Sequence, residues 1–143
     1  MQQGERIYYL AGVKVMPSFE QKYRIGTKDG QYHIFWDITA LLKDLPYTHF
    51  PILQYKATDL FKSNNFYGNY EYAMNTNLDN PCIIAKLNNS IEKIIDGNHR
   101  LYKAIQLNIN TIPCYVLPLE YHVKFIVDYN ADVYKRIISE FAK

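Results

Sequence analysis

Apolar positions recur along this chain at two spacings. Residues 6–15 (RIYYLAGVKV) are rich in β-branched and aromatic side chains and predict a strand. Residues 23–27 and 31–36 alternate polar with apolar or aromatic positions. Between them Lys28-Asp29-Gly30 suits a hairpin turn, because glycine takes positive φ without steric cost. Together these stretches predict a small N-terminal β-meander. Residues 37–45 (DITALLKDL) predict a short helix, with Asp37 placed to cap it and Pro46 past its end.

The pattern continues with a strand at 51–55 (PILQY), followed by Thr58-Asp59-Leu60-Phe61. Residues 63–70 read as loop, and 70–75 as one or two helical turns. Two strands, 81–87 and 91–96, are joined by Asn88-Asn89-Ser90, whose paired asparagines suit a tight turn. A helix is predicted over 98–107, since Leu101, Ala104 and Ile105 fall on one face at i, i+3, i+4 spacing. Residues 112–117 form the next strand, with Pro113 near its start. After Pro118 a helix is predicted, since Leu119, Val123 and Ile126 share a helical face, with an alternating strand over Val123, Phe125 and Val127 as the competing reading. A final helix over 131–142 aligns Val133, Ile137 and Phe141. Glu120, His122, Lys124, Lys135 and Arg136 are assigned to solvated faces, His33 to a strand face and His49 to a loop.

Composition narrows the picture. A chain of 143 residues that is 48% hydrophobic can bury a core within one domain. No apolar run approaches the roughly 20 residues of a membrane span, and the first residues lack the apolar stretch of a signal peptide. The expectation is a cytoplasmic protein with no membrane partner. A formal charge of +2 is too small to argue for nucleic acid. Tyrosine and asparagine are abundant, but an AT-rich bacterial or phage genome accounts for both as well as a binding role does. Cys82 and Cys114 fall in apolar strand-like runs and read as buried free thiols, with no secreted context to support a disulfide.

Candidate chemistry concentrates in Ile94-Ile95-Asp96-Gly97-Asn98-His99-Arg100-Leu101-Tyr102-Lys103-Ala104. A β-type run stops at Asp96, Gly97 permits a sharp turn, and a helical pattern begins. Asn98 is a good N-cap residue, which would place His99 and Arg100 in the first turn. A helix N-terminus favours anions through its amides and dipole. An imidazole and a guanidinium there add charge-assisted donors for a phosphate or carboxylate. The plainer alternative is that His99 and Arg100 bond nearby carbonyls while Asp96 serves as a turn acceptor. The chain has no P-loop, no Cys/His metal spacing and no Gly-x-Ser-x-Gly elbow.

Residues 97–104 resemble the signature of the ParB/sulfiredoxin-like (ParB N-terminal-like nuclease) superfamily: a strand, a Gly-x-[His/Arg]-Arg turn, and a helix running Arg-Leu-x-x-Ala. The family continues with a short helix, a glycine and a strand near "IPV"; here Asn108 replaces the glycine, and Ile112-Pro113-Cys114 begins the strand. The resemblance covers residues 51–117 and is specific from 81 to 117. It implies an α+β fold: a core with a small mixed sheet over 51–117, preceded by the meander and short helix of 1–50 and followed by C-terminal helices in 118–143. It also implies that Asp96, Gly97, Asn98, His99 and Arg100 hold the phosphates of a nucleotide, ATP or CTP. Asp96 would orient Arg100 or His99, or help hold Mg²⁺ through water. Relatives have a strand and a short turn where this chain has 51–55 and Thr58-Asp59-Leu60-Phe61, and usually carry a longer helix near 66–80, which is shortened here.

The family activities separate on single residues. Sulfiredoxins need a cysteine where this chain has Asn98, and an amide cannot be a thiol nucleophile. Chromosome-partitioning relatives carry downstream DNA-reading and dimerisation regions, for which residues 118–143 are too short. Free-serine kinases of the family have an Asp-Gly-His-His-Arg turn, one residue from Asp96-Gly97-Asn98-His99-Arg100, with an upstream carboxylate as base; Asp59 and Glu71 are the candidates. Tyr67, Tyr70 and Tyr72 are candidates for stacking on a base, or else packing residues. The leading expectation is a nucleotide-binding domain, extending to an ATP-dependent phosphotransferase with a small-molecule substrate. The alternatives are a non-catalytic binding module of phage, toxin-associated or immunity type, and a nuclease or DNA-binding protein.

Overall fold

The computed structural model describes residues 8–10, 13–15, 21–64 and 68–141. The fold is α+β. Its contacts divide the chain into two compact units, one of Met1–His49, Leu87–Ile91 and Pro118–Lys143, the other of Phe50–Lys86 and Glu92–Leu117.

In the first unit, β1 (Tyr8–Leu10) and β2 (Val13–Val15) pair antiparallel with Leu10 opposite Val13. The stretch expected as one strand is thus two short ones, because β-rich composition fits a hairpin as well as a continuous run. β3 (Lys22–Gly26) and β4 (His33–Asp37) form a second, separate hairpin. Its turn is held by the Asp29 carboxylate, which accepts from the Thr27 hydroxyl at 2.6 Å and the Gln31 amide at 2.9 Å. Gly30 there takes φ +74°. β4 runs directly into α1 (Ile38–Asp44), where the Asp37 carboxylate accepts from the Ala40 amide at 2.9 Å as the expected N-cap. A 3₁₀ turn over Leu45–Tyr47, containing Pro46, ends it.

The C-terminal part of this unit departs from the helix preferred after Pro118 and partly follows the competing strand reading. α5 (Leu119–His122) lasts one turn, a 3₁₀ turn follows over Val123–Phe125, and Ile126 then bridges to Trp36 on β4. The Val127 amide donates to the Phe35 carbonyl at 3.0 Å. His122, assigned to a solvated face, is fully buried, because the indole of Trp36 needs an acceptor and finds its Nδ1. α6 (Ala131–Phe141) is capped by Asn130, whose side-chain oxygen accepts from the amides of Asp132 and Val133. It buries Tyr134, Ile137 and Ile138, whereas Phe141 is exposed. The inward face is therefore rotated from the one aligned on Val133 and Phe141. The Tyr134 hydroxyl fixes that rotation by donating to the Leu87 carbonyl at 2.6 Å.

The second unit holds β5 (Ile52–Lys56), α2 (Ala57–Asn64), α3 (Tyr70–Met74), β6 (Cys82–Lys86), β7 (Glu92–Asp96), α4 (Asn98–Gln106) and β8 (Thr111–Leu117). The sheet order is β5-β8-β6-β7, with β6 and β8 parallel and the other pairs antiparallel. A register shift lies between Ile83 and Ile84 on β6. α2 replaces the short turn expected at 58–61. Ala57, Leu60 and Phe61 stand at i, i+3, i+4 and meet the core, and the Ala57 amide donates to the Asn110 carbonyl at 2.9 Å as β5 ends. α2 and α3 both pack on α4. The core gathers Leu60, Cys82, Ile84, Ile94, Leu101 and Ile112 among others. α4 ends as expected at Asn108, which adopts φ +57°. The Ile109 amide then returns to the Ala104 carbonyl at 2.8 Å and the Asn108 amide to Ile105 at 3.2 Å, a Schellman ending. Among the described residues no helix is long and apolar enough to cross a membrane.

Candidate functional site

The site is built where β7 gives way to α4. Ile94 and Ile95 anchor the strand in the core, so Asp96 emerges half-buried at its end. Gly97 follows with φ +104°, and a Cβ there would lie 2.6 Å from Cys82 Sγ and 3.0 Å from Cys82 Cα. Backbone conformation and close approach both demand glycine. Gly97, not Asn98, is the N-cap: the Leu101 amide donates to the Gly97 carbonyl at 3.0 Å, and Asn98 is already helical. The left-handed geometry at Gly97 carries the chain straight from strand to helix and leaves no extended position for Asn98 to cap from. The amides of Asn98, His99 and Arg100 thus precede the first intrahelical bond.

Arg100 Nη1 donates to the Pro81 carbonyl at 2.8 Å. Its Nη2 stands 3.7 Å from Asp96 Oδ2, and both side chains are 20% exposed. That separation is a charge contact, too long for a hydrogen bond. Burial raises the Asp96 carboxyl above its ordinary range, with the Arg100 guanidinium acting against the rise. His99 is half-buried and meets the Tyr72 ring edge-on, with centroids 4.5 Å apart. Burial lowers its imidazole pKa. One helical turn on, Lys103 Nζ donates to the Thr76 carbonyl at 2.7 Å. Beneath the turn, Cys82 Sγ donates to the Gly97 carbonyl at 3.5 Å.

The structure therefore keeps Asp96, Gly97, Asn98, His99 and Arg100 as one contiguous turn. Asp59 and Glu71 lie on other elements, at exposed positions in the first turns of α2 and α3. Glu71 neighbours Tyr72, and Tyr70 is exposed on the same short helix; Tyr67 lies outside the described residues. His33 and His49 are exposed in the other unit. Sequence reasoning missed Thr76, Pro81, Cys82 and Lys103. Lys103 was within reach, since it follows His99 by four residues on the helix. The other three depend on pairing and loop paths that leave no local signal.

Chemically, the turn offers a guanidinium nitrogen without a short bond to its carboxylate neighbour, an imidazole, and helix amides. Among the described residues no group of three or more His, Cys, Asp or Glu side chains is placed to hold a metal ion. Comparison with family models, curated proteins and solved structures gives no match.

Proposed function

We propose that this protein binds the phosphate groups of a nucleotide at the Gly97–Arg100 turn, as a domain of ParB/sulfiredoxin-like type. The observation that carries the reading is the position of Arg100. One nitrogen is fixed to the Pro81 carbonyl at 2.8 Å, which orients the guanidinium, while the other stands 3.7 Å from Asp96, too far for a hydrogen bond. A phosphate oxygen would accept from Nη2 and from the first amides of α4, with His99 as a further donor. ATP and CTP are the candidate nucleotides, with Mg²⁺ riding on their phosphates beside Asp96. The extension to an ATP-dependent phosphotransferase rests on the near match of residues 96–100 to the kinase-type turn. It would require Asp59 or Glu71 to reach the acceptor hydroxyl of a small-molecule substrate as base.

A second reading has its own support. Arg100 and Lys103 both donate to main-chain carbonyls, of Pro81 and Thr76, so the cations of α4 fasten the segment leading into β6. That arrangement suits a non-catalytic binding module that keeps the fold.

Calorimetric titration with ATP, ADP and CTP, with and without magnesium, separates the two. Saturable heat lost in Arg100→Ala supports the nucleotide reading. The absence of heat at millimolar nucleotide removes it in favour of the binding module. A shift of labelled oligonucleotide that weakens steeply with salt would instead favour the nuclease or DNA-binding alternative.

A further inference from the structure

We propose that Cys82 and Cys114 are a redox pair that closes reversibly to a disulfide between β6 and β8 when a hydroperoxide reaches Cys82. The inference is independent of nucleotide binding. It starts from the sheet register. Cys82 and Cys114 stand directly opposite one another on the parallel pair β6 and β8. Neighbouring strands run about 4.8 Å apart, inside the roughly 4.4–6.8 Å that disulfides span between Cα atoms. Both side chains turn to the same face, into the cluster with Ile84, Leu101 and Ile112. They are the chain's two cysteines, so each is the other's only internal partner.

Their surroundings assign the roles. Cys82 Sγ lies against the Gly97 carbonyl at 3.5 Å and within reach of the Arg100 guanidinium. Cys114 Sγ meets the Ile112 carbonyl at 3.8 Å in otherwise apolar company. The neighbouring Cys114 sulfur, and then the Arg100 guanidinium, favour the Cys82 thiolate against the opposing effect of burial, whereas the Cys82 sulfur and burial push the Cys114 thiol up. Cys82 is therefore the attacking sulfur and Cys114 the resolving one. The Cys82 thiolate attacks one oxygen of the hydroperoxide. The O–O bond breaks, sulfur is oxidised to sulfenic acid, and the peroxide is reduced to water or an alcohol that takes the thiol proton. Cys114 sulfur then attacks Cys82 sulfur; the S–S bond forms, the S–O bond breaks, and hydroxide leaves with the Cys114 proton as water. Cys82 is 1% exposed and Cys114 is wholly covered, so the first step waits on movement of the Gly97 turn that covers Cys82.

The test uses the full chain, reduced, desalted and treated with excess hydrogen peroxide under native conditions, then mapped as peptides without reductant. The expected result is one cross-linked pair containing Cys82 and Cys114 within a monomer, released by dithiothreitol. In Cys114→Ala, dimedone should trap a sulfenic acid at Cys82. In Cys82→Ala, Cys114 should oxidise at least about tenfold more slowly than Cys82 does in Cys114→Ala. Recovery of both thiols as maleimide adducts after denaturation overturns the proposal, as does a bridge found only between chains. Equal oxidation of the two single variants overturns the assignment of roles. The wild-type map decides the central question even if a variant fails to fold.

Discussion

The indole of Trp36 donates to Nδ1 of His122 at 3.1 Å, and neither ring reaches solvent. The bond fixes the imidazole tautomer, with Nδ1 as acceptor and the ring proton on Nε2. His122→Phe keeps a ring of similar size but leaves the buried indole N–H unsatisfied. It should cost about 1–3 kcal/mol in urea denaturation. His122→Gln, which restores an acceptor, should recover part of that loss.

Gly97→Ala should be the most damaging single methyl addition in the second unit. It meets φ +104° and places Cβ 2.6 Å from Cys82 Sγ and 3.0 Å from Cys82 Cα. Trimming the Cys82 side chain cannot relieve the backbone contact. Strain of about 1–3 kcal/mol and overpacking of similar size should act together, giving about 3 kcal/mol or more. A midpoint within experimental error of wild type would contradict the turn as described.

Arg100 and Lys103 should separate in their effects. Both donate to carbonyls of the segment leading into β6, so each alanine variant should lose about 1 kcal/mol of stability. Only Arg100→Ala should also lose nucleotide affinity, by roughly 10–100-fold, the value of a charge-assisted bond to phosphate. Equal loss in both variants would place the ligand elsewhere.

Tyr55 supplies a pH test. Its hydroxyl donates to Glu92 Oε1 at 3.0 Å. Burial, and then that bond, push the phenol from 10.0 up to about 12. A folded pKa above the unfolded one means the native state holds the proton longer. The contribution is therefore complete below pH 10.0 and is lost as pH rises towards about 12. The group is only half-buried, so the effect is about 1 kcal/mol or less. Tyr55→Phe should be less stable than wild type below pH 10.0, with the gap closing at higher pH. A gap that widens with pH would reverse the assigned sign.

Asn108 holds φ +57° at the end of α4. Asn108→Gly should be neutral or stabilising by up to about 1 kcal/mol, and Asn108→Ala destabilising by about 1 kcal/mol. Thermal melts of the pair would check the order.

The features legible in the sequence were local ones. Asp37 caps α1, Gly30 turns the β3–β4 hairpin, and Asn88 closes the next one by accepting from the Ser90 and Ile91 amides at 2.8 Å each. Each is decided within a few residues by a side-chain acceptor or a permitted φ. The strand–Gly97–helix passage was legible for the same reason, although Asn98 and Gly97 exchanged roles by one position. α2 was hidden because β5 runs into it with no breaker, and the family resemblance implies a short turn there. His122 was misplaced because a polar residue among charged neighbours resembles a solvated face; only Trp36, 86 residues earlier, shows why it is buried. The meeting of Cys82 with Cys114 depends on parallel pairing, which leaves no mark in either segment. Pro81 entered the site as the acceptor for Arg100 through a loop path that periodicity does not encode.

β8 lies between β5 and β6 although it is the last strand of that sheet to appear along the chain. A ribosome delivering this protein would release β5 with its sheet neighbour still unsynthesised, and the β6–β7 hairpin would wait beside an empty slot. The sheet becomes continuous only when residues 111–117 emerge and slide in between the two halves. Assembly is therefore gated by a late, sequence-distant insertion, which is slow by its loop-closure entropy. Nascent chains arrested before Thr111 should lack the continuous four-stranded sheet, because β5 then has no strand to pair with.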